Sequence, residues 1–309
     1  MAINLRRLRA FVMVAEKRSV TLAARDMNMT APAVTKSVRE LETALAVELF
    51  KRTSSGMLLT PAGETFLVHA ERALSEIERG REEVTLLMGG AGGRIAIGAT
   101  VEAAILVLPL ALGRLIERRK QIEVSLMGGS FESLCHDVRS GALDFFLGVA
   151  PEDGMIGNLI AEPLYADELK LVVRPGHPLL SAPHPTLKDL TAYRWVRSTS
   201  HGPLLAAMRR KLEEVGEVFP ENTVLVEPLS SMRGLLRSTD LVAAVAGTHM
   251  REETDMGQLV ALPVSLPASH RIVSIVKRDE AYQSAWAKEL IALLRQAVRE
   301  LNLATDQHH

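Results

Sequence analysis

At 309 residues, 47% of them hydrophobic and 24% charged, the chain is globular rather than disordered and too long for one simple core. Its net charge of −1 hides an asymmetry: residues 1–60 hold ten Lys and Arg against five Asp and Glu, so the remainder carries −6, and a polyanion would meet the N-terminal segment. The single cysteine, Cys135, excludes an intrachain disulfide and a cysteine-held zinc, and the most apolar window, 103–112, is too short to cross a bilayer.

Leu5, Leu8, Val12 and Ala15 recur at helical spacing, which predicts a first helix over 4–17. Ser19 is placed to cap a second, whose small Ala23 and Ala24 allow close packing. After a turn at Asn28 and Met29 comes a third helix over 30–42, with Thr30 as cap and Pro32 in its first turn. Val34, Val38 and Leu41 form its apolar stripe, and Thr30, Ala31, Ala33, Thr35, Lys36 and Arg39 fall largely elsewhere. Small and hydroxylated residues at the start, with cations behind, suit a helix entering a major groove. Any small three-helix bundle shows such stripes; the local surplus of positive charge favours DNA. Residues 45–60 then predict a hairpin wing whose tip, with Lys51, Arg52 and Ser54, suits phosphates or a minor groove.

Thr60-Pro61 opens a long helix over 61–88, roughly 42 Å at about 1.5 Å per residue. Phe66, Ala70, Ala73, Ile77, Gly80, Val84 and Leu87 follow with alternating spacings of four and three, a heptad seam that predicts dimerisation. The Gly-rich run 89–93 is a hinge; with no Lys-Ser/Thr behind it and no strand before it, it is not a phosphate loop.

From Arg94 the period changes. Alternation over 94–99 and 122–126, helices near Leu112 and Leu134, and a buried strand at 144–148 predict a βαβαβ unit with a parallel sheet. Around 162–164 the chain crosses elsewhere. Strands at 168–174, 224–227 and 241–246, with helices at 204–215 and 232–237, predict a second α/β lobe, and residues 271–276 and 282–301 return to the first. Two lobes with crossed connections make a cleft, where small ligands sit at strand C-terminal ends. The expected division is 1–60 for the winged domain, 61–88 for the linker, 89–93 for the hinge and 94–309 for an effector domain. Within the last, lobe one takes 94–164 and 267–303, and lobe two 165–266.

The residues argue against an enzyme. No H-x-x-x-H pair falls on a plausible helix and no Gly-x-Ser-x-Gly elbow is present. Cys135 and His136 are adjacent in a predicted helix, so they do not face each other, and a disulfide-based peroxide sensor needs a second cysteine. No metal or cofactor is expected. Arg18 and Arg25 interrupt any apolar run of a signal peptide, so a cytoplasmic chain is expected, without membrane contact. The alternative, a solute-binding protein of a transport system, fits the lobes but not the basic helix-turn-helix.

Several blocks add a family reading: Leu8-Arg-Ala-Phe-Val-Met-Val-Ala-Glu16, Ser19-Val-Thr-Leu-Ala-Ala24, Ala31-Pro-Ala-Val-Thr35, Arg39-Glu-Leu-Glu42, Leu49-Phe-Lys-Arg52 and Leu59-Thr-Pro-Ala-Gly63. In this order and spacing they resemble a LysR-type transcriptional regulator. Leu143-Asp-Phe-Phe-Leu-Gly148 and the block from Glu168 to Leu179 extend the resemblance over nearly the whole chain.

The resemblance implies an all-α winged helix-turn-helix domain, a dimerising linker helix and a two-lobed α/β effector domain like a periplasmic binding protein. It implies a homodimer or homotetramer on an interrupted palindrome, an inducer and contact with RNA polymerase. The family's recognition helix usually opens Ser-Gln-Pro-Ala-Val-Ser-Arg. Ala31 here removes a bidentate amide, and Lys36 keeps the charge but loses the fork. By position the resemblance places an inducer, a small organic acid or sugar-derived metabolite, among Thr100, Val101, Ser130, Phe131, Thr199, Ser200, His201, Gly247 and Thr248. Hydroxyls and N–H groups at a helix start suit a carboxylate, and His201 adds a switchable charge. Ser238-Thr239-Asp240 stands where the family often has a glycine-rich turn.

Overall fold

The computed structural model describes residues 3–54, 56–88, 92–150, 156–198, 202–279 and 283–303. Its first three helices are α1 (Leu5–Lys17), α2 (Val20–Asp26) and α3 (Ala31–Leu45). Each starts on a side chain that accepts a backbone N–H: Asn4 from Arg7, Ser19 from Leu22 and Thr30 from Ala33. Leu8, Phe11, Val14, Ala23, Val34, Val38 and Leu41 close over a common core. The guanidinium of Arg7 donates through Nε and a terminal nitrogen to Glu40 at 3.1 and 2.9 Å, which ties α1 to α3.

The wing is the antiparallel pair β1 (Phe50–Thr53) and β2 (Gly56–Leu59). Leu49, just before the wing, is hydrogen-bonded to both flanking helices. The Leu49 N–H donates to the Glu42 carboxylate at 2.8 Å, and the Leu49 carbonyl accepts the Thr60 N–H at 2.9 Å. Thr60 also caps α4 (Pro61–Leu87) by accepting the Gly63 N–H at 3.0 Å. Gly63 stands where a capping-box Glu would stand for a steric reason: a Cβ there would lie 2.2 Å from the Leu49 carbonyl oxygen.

The first half of the expected dimerisation seam packs within the chain instead. The Phe66 ring lies 5.5 Å from that of Phe11, Ala70 is buried, and Ala73 packs on the same cluster. A heptad stripe records an apolar face but not its partner, and here α1 supplies the partner. Further along, Ile77 is 45% and Val84 60% exposed. The backbone of Leu87 lies in α4, and its side chain is outside the described residues.

Lobe one opens with β3 (Gly93–Ala99), α5 (Val107–Arg118), β4 (Ile122–Gly128), α6 (Phe131–Ser140) and β5 (Phe145–Val149). The long β6 (Ile160–Val173) leads to lobe two, which holds β7 (Trp195–Arg197), α7 (Gly202–Glu213), β8 (Val224–Leu225), α8 (Leu229–Ser238), β9 (Val242–Ala246), α9 (Arg251–Asp255) and β10 (Val260–Ala261). β11 (His270–Lys277) and α10 (Ala285–Glu300) return to lobe one. The sheet order is β4-β3-β5-β11-β6-β9-β7-β8, with β10 also on β6. β3 is parallel to both β4 and β5, and β7 to both β8 and β9, so each lobe has a crevice at a topological switch point.

Residues 162–164, expected to be a crossing, form part of the first half of β6, paired with β11. Pro163 hides this strand from a pattern reading. The pairing absorbs it at an irregularity, where the register moves from Val273 opposite Tyr165 to Ser274 opposite Pro163. Residues 169–172 of the same strand pair with β9, so β6 belongs to both lobes.

The linker helix docks on lobe one. Ser75 donates to the Gly141 carbonyl at 2.8 Å, Glu76 pairs with the buried Arg278 at 3.3 Å, and Glu71 lies 3.9 Å from His136. Asp144 braces the same end of the lobe by accepting the Ala96 N–H and the Ser284 hydroxyl, each at 2.9 Å. Burial pushes the Asp144 carboxyl up, and those two donors with Arg278 pull it partly back.

On the sheet, the buried Lys277 meets Glu162 at 2.7 Å, and Arg295 of α10 pairs with the same carboxylate. Burial opposes ionisation of Glu162, but Lys277 and Arg295 outweigh it and hold the carboxyl below its usual range. A depressed carboxyl contributes stability above its unfolded pKa and loses it as pH falls through the folded one. Glu162→Gln is therefore expected to cost about 1–2 kcal/mol at pH 7, screening by solvent included, and less near pH 3, as urea melts at the two pH values would show.

Candidate nucleic-acid interface and effector cleft

The first turn of α3 holds the residues expected to face DNA. Thr30 caps the helix and is exposed, Pro32 is exposed, and Ala31 and Ala33 are half-buried. The Thr35 hydroxyl donates to the Ala31 carbonyl at 3.0 Å. Lys36 and Arg39 are exposed one turn on, as are Arg52 and Ser54 on the wing.

Ion pairing divides the basic residues of this domain in a way that spacing could not reveal. Arg7 is tied to Glu40, Arg9 to Glu78, and Lys17 to Glu16 and Asp26. Lys36 reaches Glu40 only at 4.0 Å. Arg6, Arg18, Arg25, Arg39, Lys51 and Arg52 are exposed and have no ion-pair partner among the described residues, which leaves them available to phosphates. In the sequence Glu40 and Glu42 stand out only as parts of a motif. Their roles, bracing α3 against α1 and gripping the strand that enters the wing, emerge from the folded chain.

In lobe one, Thr100 and Val101 follow β3, and Ser130 and Phe131 open α6. Thr100 is buried, and its Oγ1 has no hydrogen-bond partner among the described residues. An orphaned hydroxyl of this kind costs roughly 1–3 kcal/mol unless something else reaches it. Gly148 of β5 lies against it: a Cβ there would meet the Thr100 methyl at 3.0 Å and the Phe131 ring at 3.4 Å. Phe131 is half-buried and packs edge-on against Phe146 at 5.1 Å. Ser130 caps α6, and Val101 is exposed. Hydroxyl, aromatic face and helix start thus meet at the switch-point crevice.

In lobe two, Gly247 and Thr248 follow β9 and line a cavity of about 400 Å³ with Asp167, Lys170, Arg251 and Leu303. The Thr248 hydroxyl donates to Asp167 at 2.6 Å. Asp167, Lys170 and Arg251 escape a reading of the sequence; the family block beginning at Glu168 is the only signal near them. Thr199, Ser200 and His201 lie outside the described residues. Among the described residues no group of three His, Cys, Asp or Glu side chains is placed to hold a metal, and no helix is long and apolar enough to cross a membrane.

Residues 5–64 match the model of the bacterial regulatory helix-turn-helix protein, lysR family, and residues 88–299 that of the LysR substrate binding domain. The chain is a LysR-type transcriptional regulator. This family is one of DNA-binding regulators of transcription, not of enzymes. The regulator is 32% identical over 295 residues to the HTH-type transcriptional regulator GalR of Pseudomonas putida, covering 96% of this chain and 74% of that one. It is 31% identical over 260 residues to GbpR of Rhizobium radiobacter, covering 82% of each. Its fold is shared with a full-length OxyR variant from Pseudomonas aeruginosa, at a TM-score of 0.70 and 20% identity over 100% of this chain and 99% of that one. It is shared also with full-length CbnR complexed with its target DNA, at 0.63 and 18% over 96% and 100%.

The orphaned hydroxyl gives the regulator a test that separates binding from folding. Thr100→Val keeps the shape and removes the unsatisfied group. The ligand-free variant is expected to melt at the parental temperature or slightly above it, while small carboxylates and sugars that shift the parent's Tm in a thermal-shift screen shift the variant's less. A variant that keeps the parental shifts would place the ligand elsewhere.

Proposed function

We propose that this regulator binds an interrupted-palindrome operator as a homodimer or homotetramer, and that a small organic acid or sugar-derived metabolite in the cleft resets it. Residues 1–60 read DNA, 61–88 join the protomers and 94–309 take the ligand; of the expected hinge 89–93, Gly93 already belongs to β3 and residues 89–91 lie outside the described residues. Operator reading falls to the first turn of α3 with Arg39, Arg52 and Ser54. With Ala31 offering no long polar side chain, it leans on Ala33, Thr35, the wing and DNA shape. The ligand reading is carried by Thr100, whose buried hydroxyl lacks a partner among the described residues beside Phe131 and the start of α6. Thr199, Ser200 and His201 complete the proposed ligand set and lie outside the described residues. Such a protein works in the cytoplasm beside the chromosome and touches RNA polymerase when bound.

Oxidation of Cys135 is not the signal in this reading. The thiol is buried, and burial pushes its pKa up, away from the thiolate that oxidants attack.

Two measurements test the assembly and its target. Anisotropy titrations on the regulator's own upstream DNA should show preference over a random duplex and a steep fall of affinity with salt, because phosphate contacts release counterions. Equal affinity for both duplexes would remove the operator. With Phe66, Ala70 and Ala73 occupied inside the chain, the seam rests on its exposed half. Ile77→Asp combined with Val84→Asp should lower the mass seen by light scattering and weaken DNA binding together, and an unchanged mass would move the interface off α4.

A further inference from the structure

Arg18 closes α1 in the left-handed conformation, at φ 50° and ψ 21°. Glycine occupies this region without strain, whereas a side chain there carries a cost that needs a reason. Asn28, Ala46, Ala268 and Asn302 share a positive φ, so the backbone angle alone assigns nothing. Three further features separate Arg18 from them.

First, its side chain is exposed and has no ion-pair partner among the described residues. Its neighbour Lys17, of the same charge, is held by Glu16 and Asp26 at 3.1 Å each. Second, the wing rests on it. The Arg18 carbonyl accepts the Met57 N–H at 2.9 Å, and Gly56, at φ +116°, approaches so closely that a Cβ would lie 2.5 Å from that carbonyl oxygen. Third, the Arg18 Cβ is 4.0 Å from where a Gly56 Cβ would stand, so its side chain leaves the backbone beside the start of β2. Arg52 and Lys51, also exposed and without ion pairs among the described residues, lie on the other strand of that wing.

We infer that Arg18 is a DNA-contacting residue. It grips the phosphate strand that runs past the wing, and the left-handed turn directs it there. The turn between α1 and α2 thereby becomes a third contact element beside α3 and the wing tip. A phosphate contact carries no sequence preference, so it adds affinity to every duplex and fixes the angle at which the wing meets the backbone.

The inference rests on the reading that the winged domain binds DNA, and the test keeps the two apart. The full-length parent, Arg18→Gly, Arg18→Asn and Arg18→Lys are titrated against a labelled random-sequence duplex over a range of salt, with a thermal melt of each. Gly and Asn both accept the left-handed backbone, so their melts should equal or exceed the parent's. Their affinity should fall about fivefold per protomer, the size of one exposed charged interaction, and the plot of log affinity against log salt should become shallower by about 0.9 for each phosphate that Arg18 neutralises. Arg18→Lys should restore most of the slope. Well-folded Gly and Asn variants with the parental affinity and slope would overturn the assignment of Arg18, whereas a parent whose affinity ignores salt would overturn the DNA reading itself.

Discussion

One buried junction, centred on Leu49 and flanked by Glu48 and Phe50, fixes the angle between α3 and α4. The Leu49 N–H is bound by the carboxylate of Glu42 near the end of α3, and its carbonyl by the amide of Thr60 at the start of α4. The recognition helix and the linker helix are thus joined through hydrogen bonds to the backbone of residues 48–50, with Leu49 itself fully buried beneath them. Loss of the Glu42 carboxylate would strand the amides of Leu49 and Phe50, at a cost of roughly 1–3 kcal/mol for each that finds no other partner. The larger effect would be angular. Were two copies to pair through α4, the separation of their α3 helices would be set by the angle between α3 and α4, and half-sites one DNA turn, about 34 Å, apart would tolerate little error in it.

The effector domain follows from a different constraint. Parallel strands need crossover connections, most often helical, and reversal of the crossover direction opens a crevice at their C-terminal ends. Both lobes obey this, β3 lying between β4 and β5 and β7 between β8 and β9. Thr100 and Phe131 reach one crevice because the chain leaves β3 and enters α6 there, and Gly148 leaves them room. Nearby, Ser130 caps a helix and Ser284 donates to Asp144, whereas the Thr100 hydroxyl is buried with no partner among the described residues.

Local patterns in the sequence carried much of this, and failed where the decisive partner was distant. Ser19 and Thr30 marked helix starts because a cap acts over three residues. The stripe from Phe66 to Ala73 was visible too, yet its partner Phe11 lies far back along the chain, and only the fold shows that this part of α4 is already covered. The cations pose the same difficulty. Arg7 is neutralised by a carboxylate 33 residues away and Arg9 by one 69 away, so a count of charges could not tell them from Arg39 or Arg52. β7 spans three residues, too short for alternation to register, and Pro163 disguised half of β6. In the cleft, Thr100 was named by its place after a strand, but its missing partner is a property of packing.

The attachment of α4 to one lobe has a mechanical consequence. Through Ser75, Glu76 and Glu71 the long helix shares a rigid frame with lobe one, and that frame continues through Phe66 into the winged domain. Lobe two is joined to it by β6, by the return into β11, and by Arg251 of α9, which donates to the Leu301 carbonyl after α10 at 3.4 Å. Lobe one and the linker thus form one braced frame, and any movement of lobe two would have to bend these links. Whatever closes the cleft would be felt outside the molecule as a rotation of lobe two's outer surface, with the DNA-binding end displaced only through neighbours that touch that surface. In an assembly of several copies, the signal would then pass between subunits rather than down the length of one.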